Sequence, residues 1–206
     1  MGACLDLSSI SPGFSNPEMA SQAVFRRSLE ALSRPGSVIE VQSDAVAPVG
    51  VGVAACALLL ALPEQDTRVW LAPSVSKEAA AYWRFHTGCQ ITRVRDEADF
   101  ALVNDVAEMP LLQSLRCGSD EYPHLSATLI VEVPHLATDG GWRITGPGIR
   151  NEARLSAPAL GKHFAAQWAA NHQLFPRGID IFFTCGALLC GLPRTIQLGE
   201  DDSPCM

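Results

Sequence analysis

The sequence lacks paired cysteines. Its seven cysteines are odd in number and scattered, with no CxxC spacing and no signal-peptide pattern ahead of them. Disulfide-stabilised secreted domains and structural zinc sites both depend on regular cysteine spacing. We therefore expect reduced thiols in a cytoplasmic protein, no bound metal, and small apolar packing as the role of most cysteines.

Basic charge is also scarce. The formal net charge is -7, and acidic residues outnumber basic residues in both halves of the chain. A nucleic-acid-binding surface requires a basic patch, so we expect no nucleic-acid partner.

One uncharged stretch, AVAPVGVGVAACALLLALP at residues 45–63, is almost long enough to span a membrane. Much of it is Ala, Gly and Pro, which contribute little apolar area, and it is flanked by Asp44 and Glu64 rather than by Lys or Arg. We expect a buried helix and no membrane contact. The GVGVAA segment within it fits a loose dinucleotide fingerprint, but no good strand precedes it, so close helix packing is the favoured interpretation.

Familiar catalytic motifs are absent. The sequence contains no GxxxxGK[ST], GxSxG or HExxH pattern. SVSK at residues 74–77 matches S-x-x-K, but Ser76 is better interpreted as a helix cap. His86, in FHTG, ends a predicted helix, where we favour the capping of free carbonyl groups over a catalytic role.

Helix and strand patterns alternate along the 206-residue chain, which is 48% apolar and 18% charged. Asn16 is predicted to cap a helix that reaches about Leu32 and stops at the following Arg-Pro-Gly. The other predicted helices cover residues 51–62, 76–85 and 158–172, and the predicted strands cover residues 38–41, 69–71, 100–103, 128–133, 142–144 and 179–184. This order predicts a single layered α/β domain over residues 12–198, with a mixed, mostly buried sheet and loose termini at residues 1–11 and 199–206.

Four short turns combine Gly or Pro with a neighbouring Arg or backbone amide: SRPGS at residues 33–37, TGPGI at 145–149, FPRGID at 175–180 and LPRT at 192–195. Glycine permits close backbone approach, and arginine offers a bidentate fork to phosphate or carboxylate. Taken singly, each is an ordinary turn. The candidate residues for contacting an anion or a partner are Arg34, His86, Gly146, Gly148, Arg177 and Arg194.

The arginines of these turns differ in their sequence neighbours. Asp180 follows Arg177 closely and is predicted to neutralise it. Arg194 has no acid nearby, so it must find a carboxylate elsewhere in the fold, a partner subunit or a ligand anion. Our hypothesis is that Arg194→Ala and Arg34→Ala leave a folded protein and impair assembly.

Taken together and in order, these motifs resemble the H-subunit family of the bacterial carbon-phosphorus lyase system (the PhnH family). The resemblance runs from PGF at residues 12–14 to LPRT. Between them lie SQ at 21–22, FR at 25–26, SRPG at 33–36, DTRVWL at 66–71, FHTG at 85–88, ADFALV at 98–103, GPGI at 146–149 and FPRGID at 175–180. A mild departure is His124, which stands where the family pattern has an acid.

The resemblance implies a fold similar to the large domain of pyridoxal-phosphate-dependent transferases, without the cofactor site. A Schiff base requires a lysine, and the chain has only Lys77 and Lys162, neither in a Ser-rich or Gly-rich loop after a strand. We expect no cofactor. The resemblance also implies a subunit that works with G, I and J partners to join a phosphonate to the ribose triphosphate of ATP, releasing adenine. The radical cleavage belongs to J, whose iron-sulfur cluster the cysteines of this chain are not spaced to bind.

Three functions are compatible with the sequence. The first is a helper subunit that docks through apolar surface, the second an active subunit that lends Arg or His to a phosphonate or triphosphate site, and the third a stand-alone transferase for an anionic substrate. We favour the first, because no self-sufficient pair of nucleophile and base is recognisable. We expect no activity in isolation and a homodimer, since self-pairing covers an apolar docking surface.

Overall fold

The computed structural model describes residues 10–201, with the backbone alone at positions 162, 200 and 201. The helices are α1 (Pro17–Ser33), α2 (Val53–Ala61), α3 (Lys77–Thr87) and α4 (Gly161–Gln173). The strands are β1 (Ile39–Glu40), β2 (Arg68–Leu71), β3 (Gln90–Thr92), β4 (Phe100–Val103), β5 (Thr128–Glu132), β6 (Ala137–Thr145), β7 (Ala153–Ser156), β8 (Asp180–Cys185), β9 (Leu188–Leu192) and β10 (Gln197–Asp201).

Seven strands form the central sheet, in the order β1-β9-β8-β5-β4-β2-β3. The five strands from β8 to β3 are mutually parallel, whereas β9 runs antiparallel to both β8 and β1. The predicted mixed sheet is confirmed. After β2 the chain first adds β3 on one side and then β4 on the other, so the direction of strand addition reverses between β2 and β4.

The central sheet is buried on both faces. Along β5, Leu129 and Val131 belong to one apolar core and Ile130 to the other, because successive side chains of a strand point to opposite faces. Helices α1, α2 and α3 cover the Ile130 face. The opposite face is covered by α4 and by a three-stranded antiparallel sheet of order β10-β6-β7, which contributes Trp142 and Leu155.

Short-range signals set the helix ends. The Asn16 side chain accepts a hydrogen bond from the amide of Met19, and Ser76 caps α3 in the same way at Ala79, so both predicted caps are confirmed. Gly88 ends α3 with a φ of +76°, a conformation that disfavours side chains. Gly191 of β9 lies directly under α1.

The uncharged stretch forms the buried helix α2, as predicted. No helix within residues 10–201 is long and apolar enough to cross a bilayer. The pattern did not predict β3, β7, β9 or β10. Residues 10–11 and 199–201, assigned to loose termini, are placed in the fold, the latter in β10, whereas residues 1–9 and 202–206 lie outside the described part of the chain.

Candidate functional site

Arg194 is the centre of a hydrogen-bonded cluster at the amino-terminal end of β8. Its guanidinium donates to both carboxylate oxygens of Asp180, at 3.2 Å from Nε and 2.6 Å from Nη2. It also donates to the backbone carbonyls of Pro123 and Pro176, at 3.0 and 3.4 Å, and to the Ser126 hydroxyl at 2.5 Å. The side chain is 13% exposed. Of the three partners left open for Arg194, the structure shows a carboxylate of the same fold.

The predicted pairing of Asp180 with Arg177 is wrong. The Nε atom of Arg177 lies 3.0 Å from a carboxylate oxygen of Asp120, without hydrogen-bond alignment. Asp180 pairs with Arg194 instead. Because β8 and β9 are adjacent antiparallel strands, the start of β8 lies beside the end of β9. Sequence proximity therefore indicated the wrong partner.

The SRPG, TGPGI and LPRT turns meet where the turn after α1 contacts the small sheet. A Cβ atom at Gly148 would collide with the Ser33 carbonyl oxygen, and φ there is +86°. At Gly146, a Cβ atom would lie 2.8 Å from the Ile196 side chain, and at Gly36 it would lie 2.7 Å from Ala153. Gly148 allows backbone to approach backbone, whereas Gly146 and Gly36 leave room for the side chains of Ile196 and Ala153, so these glycines have a structural role.

His86 and Arg34 occupy different surroundings. His86 Nε2 lies 3.0 Å from the carbonyl oxygen of Ser11, so the ring donates to the segment before α1 rather than capping carbonyls of its own helix. The capping interpretation is wrong because Gly88 already ends α3. Arg34 is 73% exposed and lies 3.7 Å from Glu30 across one helical turn, a surface ion pair of little energetic weight. The candidate residues therefore do not converge on one site.

Ligands of open α/β sheets bind beyond the carboxyl ends of the parallel strands. At this edge a cleft of about 590 Å³ follows the ends of β4, β5 and β8. Its described lining residues are Asn104, Asp105, Val106, Glu132, Val133, Pro134, Ala159 and Cys185. The described lining includes two carboxyl groups, of Asp105 and Glu132, and no Arg or Lys.

Glu132 closes one side of this cleft. Its carboxylate accepts hydrogen bonds from the buried Thr184 hydroxyl at 2.5 Å and from the Gly186 amide at 2.8 Å. The carboxylate also fills the space where Gly52, the N-cap residue of α2, would carry a side chain. A negative group at the amino-terminal end of a helix is favoured by the helix dipole. Glu132 therefore occupies the position in which an anionic ligand would be stabilised.

A second cleft of about 590 Å³ lies beside the first, between the loop before α2 and the start of α3. Ser74 lines it and donates from its backbone amide to Glu108 at 2.8 Å. Its hydroxyl lies 2.6 Å from both Glu108 and the Asn104 side-chain oxygen. Asn104 in turn donates to the Gly50 carbonyl at 3.2 Å. These bonds join the ends of β2 and β4 to the loop before α2. Ser74 and Asn104 therefore stabilise the fold at this edge.

Four of the described thiols are suited to packing rather than to chemistry. Burial raises the pKa of Cys56 and of Cys190 from 9.0 to about 11, and it also raises the pKa of Cys89 and Cys117. A nucleophilic cysteine requires a lowered pKa. In the described part of the chain, no group of three His, Cys, Asp or Glu side chains could hold a metal ion. Buried Cys56 and Cys190 therefore pack as small apolar residues.

These features define a class: a layered α/β protein with carboxyl groups in the cleft at the carboxyl edge of its sheet, and with glycine turns and Arg194 that hold the fold together. The chain belongs to the PhnH family, described as bacterial phosphonate metabolism protein, which matches residues 12–199. The family predicted from the ordered motifs is confirmed.

Two curated relatives cover most of the chain. It is 39% identical over 194 residues to the alpha-D-ribose 1-methylphosphonate 5-triphosphate synthase subunit PhnH of Rhizobium meliloti (strain 1021), which covers 93% of this chain and 96% of that protein. It is 28% identical over 185 residues to the putative C-P lyase subunit protein HtxG of Stutzerimonas stutzeri, with 86% of this chain and 85% of the relative covered.

Two residues central to the clusters had not been singled out from the sequence. Glu132 ends a predicted buried strand, and a carboxylate at the carboxyl end of a strand is a recognisable signal for this edge. Asp120 stands in an exposed loop, and no sequence signal links it to Arg177.

Proposed function

We propose that the chain is a helper subunit of a carbon-phosphorus lyase core complex in phosphonate catabolism. In this proposal it assists the transfer of the ribose triphosphate of ATP to a phosphonate, with release of adenine, and does not itself supply the reacting groups. The observation that carries the proposal is the carboxyl edge of the sheet, where Asp105 and Glu132 line the cleft and Glu132 occupies the amino-terminal end of α2. A triphosphate or phosphonate at this edge would face carboxylates rather than cations.

The arginines support the same proposal. Arg194 makes its hydrogen bonds within the fold, and Arg177 has an acidic neighbour in Asp120. An arginine that binds an anion normally donates the two parallel hydrogen bonds of its guanidinium to the ligand. Both relatives are named as subunits, which favours a role in an assembly.

The proposed partners are the G, I and J subunits of the system, with a homodimer when the chain is isolated. The proposed setting is the cytoplasm, where ATP is available. The seven-stranded, largely parallel sheet between two layers is compatible with the large-domain fold of pyridoxal-phosphate-dependent transferases. Similarity to that fold is therefore part of the proposal.

The test is reconstitution of adenine release. The G, I and J subunits are expressed with and without this chain, incubated with ATP, a phosphonate and the system's ATPase-like partner, and assayed for adenine by chromatography. We expect this chain alone to release no adenine and to co-purify with its partners. Co-purification of Arg34→Ala with the partners tests the hypothesis that this variant impairs assembly. We expect complexes carrying Arg177→Ala to retain the parent rate within about twofold, because this side chain is not assigned to reacting atoms. Loss of adenine release with intact assembly in Arg177→Ala would instead identify an active subunit.

A stand-alone transferase for an anionic substrate is the alternative function. The two clefts favour it, since each has a volume within the range of small-molecule sites. Incubation of the isolated chain with ATP and a phosphonate distinguishes the two: turnover without any partner supports the transferase and contradicts the helper role.

A further inference from the structure

The carboxylate of Glu132 lies in a site made of the donors that proteins use to bind anions. One oxygen accepts a hydrogen bond from the buried Thr184 hydroxyl at 2.5 Å, and the other accepts one from the Gly186 amide at 2.8 Å. The third side is the amino-terminal end of α2, because a Cβ atom at Gly52 would lie 2.7 Å from the carboxylate carbon of Glu132. We call the space between Thr184, Gly186 and Gly52 the carboxylate site.

Among the described residues, no positive side chain pairs with Glu132. Helix α2 has no side-chain cap and no acidic residue in its first turn, so the negative charge at its amino-terminal end comes from another element. A hydroxyl, an amide and a helix end without a cation form an arrangement in which helices bind phosphate and sulfate. Glu132 is therefore held as a bound anion would be.

The GVGVAA segment makes room for this carboxylate. Its glycines are Gly50 and Gly52, and in a dinucleotide fingerprint the second glycine lets a pyrophosphate approach the backbone closely. At Gly52, φ is -70° and ψ is 157°, so the backbone would accept any residue and glycine is required only for space. That space is filled by the Glu132 carboxylate. The segment therefore accommodates an anion of the chain itself rather than a free phosphate.

The carboxylate site opens onto the cleft at the carboxyl edge of the sheet. Glu132 lines this cleft of about 590 Å³, a volume within the range of small-molecule sites. In the native protein the tethered carboxylate has two advantages over a free anion. Its translational freedom is already restricted by the chain, and its charge repels a second anion.

We propose that Glu132 is a tethered anion that fills the anion site of this chain and thereby excludes phosphate and phosphonate groups from the cleft. Glu132 is then a specificity-determining residue, because one side chain closes a site whose other donors suit a phosphate. The proposal rests on the proposed function and deepens it, since it names the residue that keeps the reacting anions away from this edge. Phosphate binding is measured on the isolated chain and adenine release on the complex, so each can fail without the other.

Removal of the carboxylate is expected to open the site to inorganic phosphate. Glu132→Ala retains the Thr184 hydroxyl, the Gly186 amide and the end of α2 as donors. In calorimetric titrations at constant ionic strength, this variant is expected to bind phosphate about tenfold more tightly than the parent, or better. Asp105→Asn is the matched control, since it removes the other carboxyl group that lines the cleft and is expected to bind phosphate no better than the parent. Equal binding by Glu132→Ala and either of the other two proteins overturns the proposal.

Gly52→Ala tests the position of the bound anion. In the Glu132→Ala background the added methyl group fills the site, and phosphate binding is expected to return to the parent level. In the parent the same methyl group collides with the carboxylate and is expected to lower the midpoint of urea unfolding. This loss is expected to fall to about half or less in the Glu132→Ala background, because the two positions are in contact. An equal loss in both backgrounds would place the carboxylate away from Gly52 and contradict the proposal.

Acetate provides a measurement that does not require a stable variant. Glu132→Ala removes a methylene and a carboxylate, which together correspond to acetate. Sodium acetate is expected to raise the unfolding midpoint of Glu132→Ala more than sodium chloride does at the same concentration, and to show no such excess effect on the parent. A variant that folds only when acetate is present supports the same conclusion. No effect of acetate and no binding of phosphate overturns the proposal, and the helper function then still stands.

Discussion

Arg194 and Asp180 form a two-bond ion pair that joins the end of β9 to the start of β8, at side-chain exposures of 13% and 22%. The same guanidinium holds the carbonyls of Pro123 and Pro176, so one side chain connects four segments of the chain. This arrangement makes Arg194 a fold-stabilising residue. The hypothesis that Arg194→Ala leaves a folded protein and impairs assembly stays a prediction, and a loss of stability is now expected beside it.

We expect Arg194→Ala to lower the free energy of unfolding by roughly 2 to 4 kcal/mol, because Asp180 would keep a partly buried charge without its partner. Arg34→Ala is the matched control and is expected to cost less than about 0.5 kcal/mol, since its ion pair is exposed. Urea unfolding followed by circular dichroism measures both. Equal midpoints for the two variants would assign Arg194 to the surface.

The turn contact at Gly148 gives a second prediction. Gly148→Ala is expected to cost roughly 2 to 4 kcal/mol, because it combines a positive φ with a collision against the Ser33 carbonyl. Gly140→Ala, in the small sheet with nothing within 4 Å of its Cβ position, is expected to cost less than about 1 kcal/mol. Thermal denaturation compares the two, and a Gly148→Ala protein as stable as Gly140→Ala would contradict the close packing.

Glu132 is expected to stabilise the carboxyl edge of the sheet. Glu132→Ala leaves the Gly186 amide without its acceptor and the Thr184 hydroxyl with only the more distant Val131 carbonyl at 3.4 Å, at a cost of roughly 1 to 3 kcal/mol. Glu132→Gln retains one acceptor oxygen and is expected to fall between the alanine variant and the parent. Chemical unfolding at neutral pH tests this order, and an alanine variant at least as stable as the parent would refute it.

The buried thiols predict a loss of stability in alkali. The folded-state pKa of Cys56 and Cys190 is raised from 9.0 to about 11, so both thiols favour the folded state below pH 9. This contribution is lost as the pH rises from 9 to about 11, because the unfolded chain then ionises first. The parent is expected to lose more stability between pH 8 and 10.5 than Cys190→Ala does. Parallel pH profiles for the two proteins would count against the shift.

Lysine chemistry gives a negative prediction. Lys77 opens α3 and Lys162 lies in α4, so neither follows a strand at the carboxyl edge of the sheet. We expect no stoichiometric Schiff base after incubation with pyridoxal phosphate and borohydride reduction. Mass spectrometry that finds one full adduct at either lysine would contradict this.

Local signals predicted the helices and the core strands. Asn16 and Ser76 each accept a hydrogen bond from the amide three residues further along the chain, so their capping can be predicted from the sequence. Strands β9 and β10 were missed because turn residues in and around them, such as Gly191 and Gly199, interrupt the apolar pattern. Their pairing depends on distant strands, which a local pattern cannot represent.

The candidate residues show the same limit. The motifs identified Arg194, Gly146 and Gly148 as special positions, but the partner of Arg194 was left open between the fold, a partner subunit and a ligand anion, because its carboxylate and carbonyl partners lie far away in sequence. Asp180 is 14 residues from Arg194 and Pro123 is 71 residues away. Whether Arg194 finds its hydrogen-bond acceptors within the fold depends on which strands are neighbours in the sheet. The sequence pattern does not predict the order of the strands.

The meeting of the three turns also constrains synthesis on the ribosome. The turn that ends α1 packs against Gly148, and the helix itself packs on Gly191 of β9, so the earliest described helix is not fully enclosed until this late strand has been translated. A nascent chain that stops before residue 194 lacks both Arg194 and Ile196 and exposes the core beneath the small sheet. Such truncated products are therefore expected to be targets of chaperones and proteases.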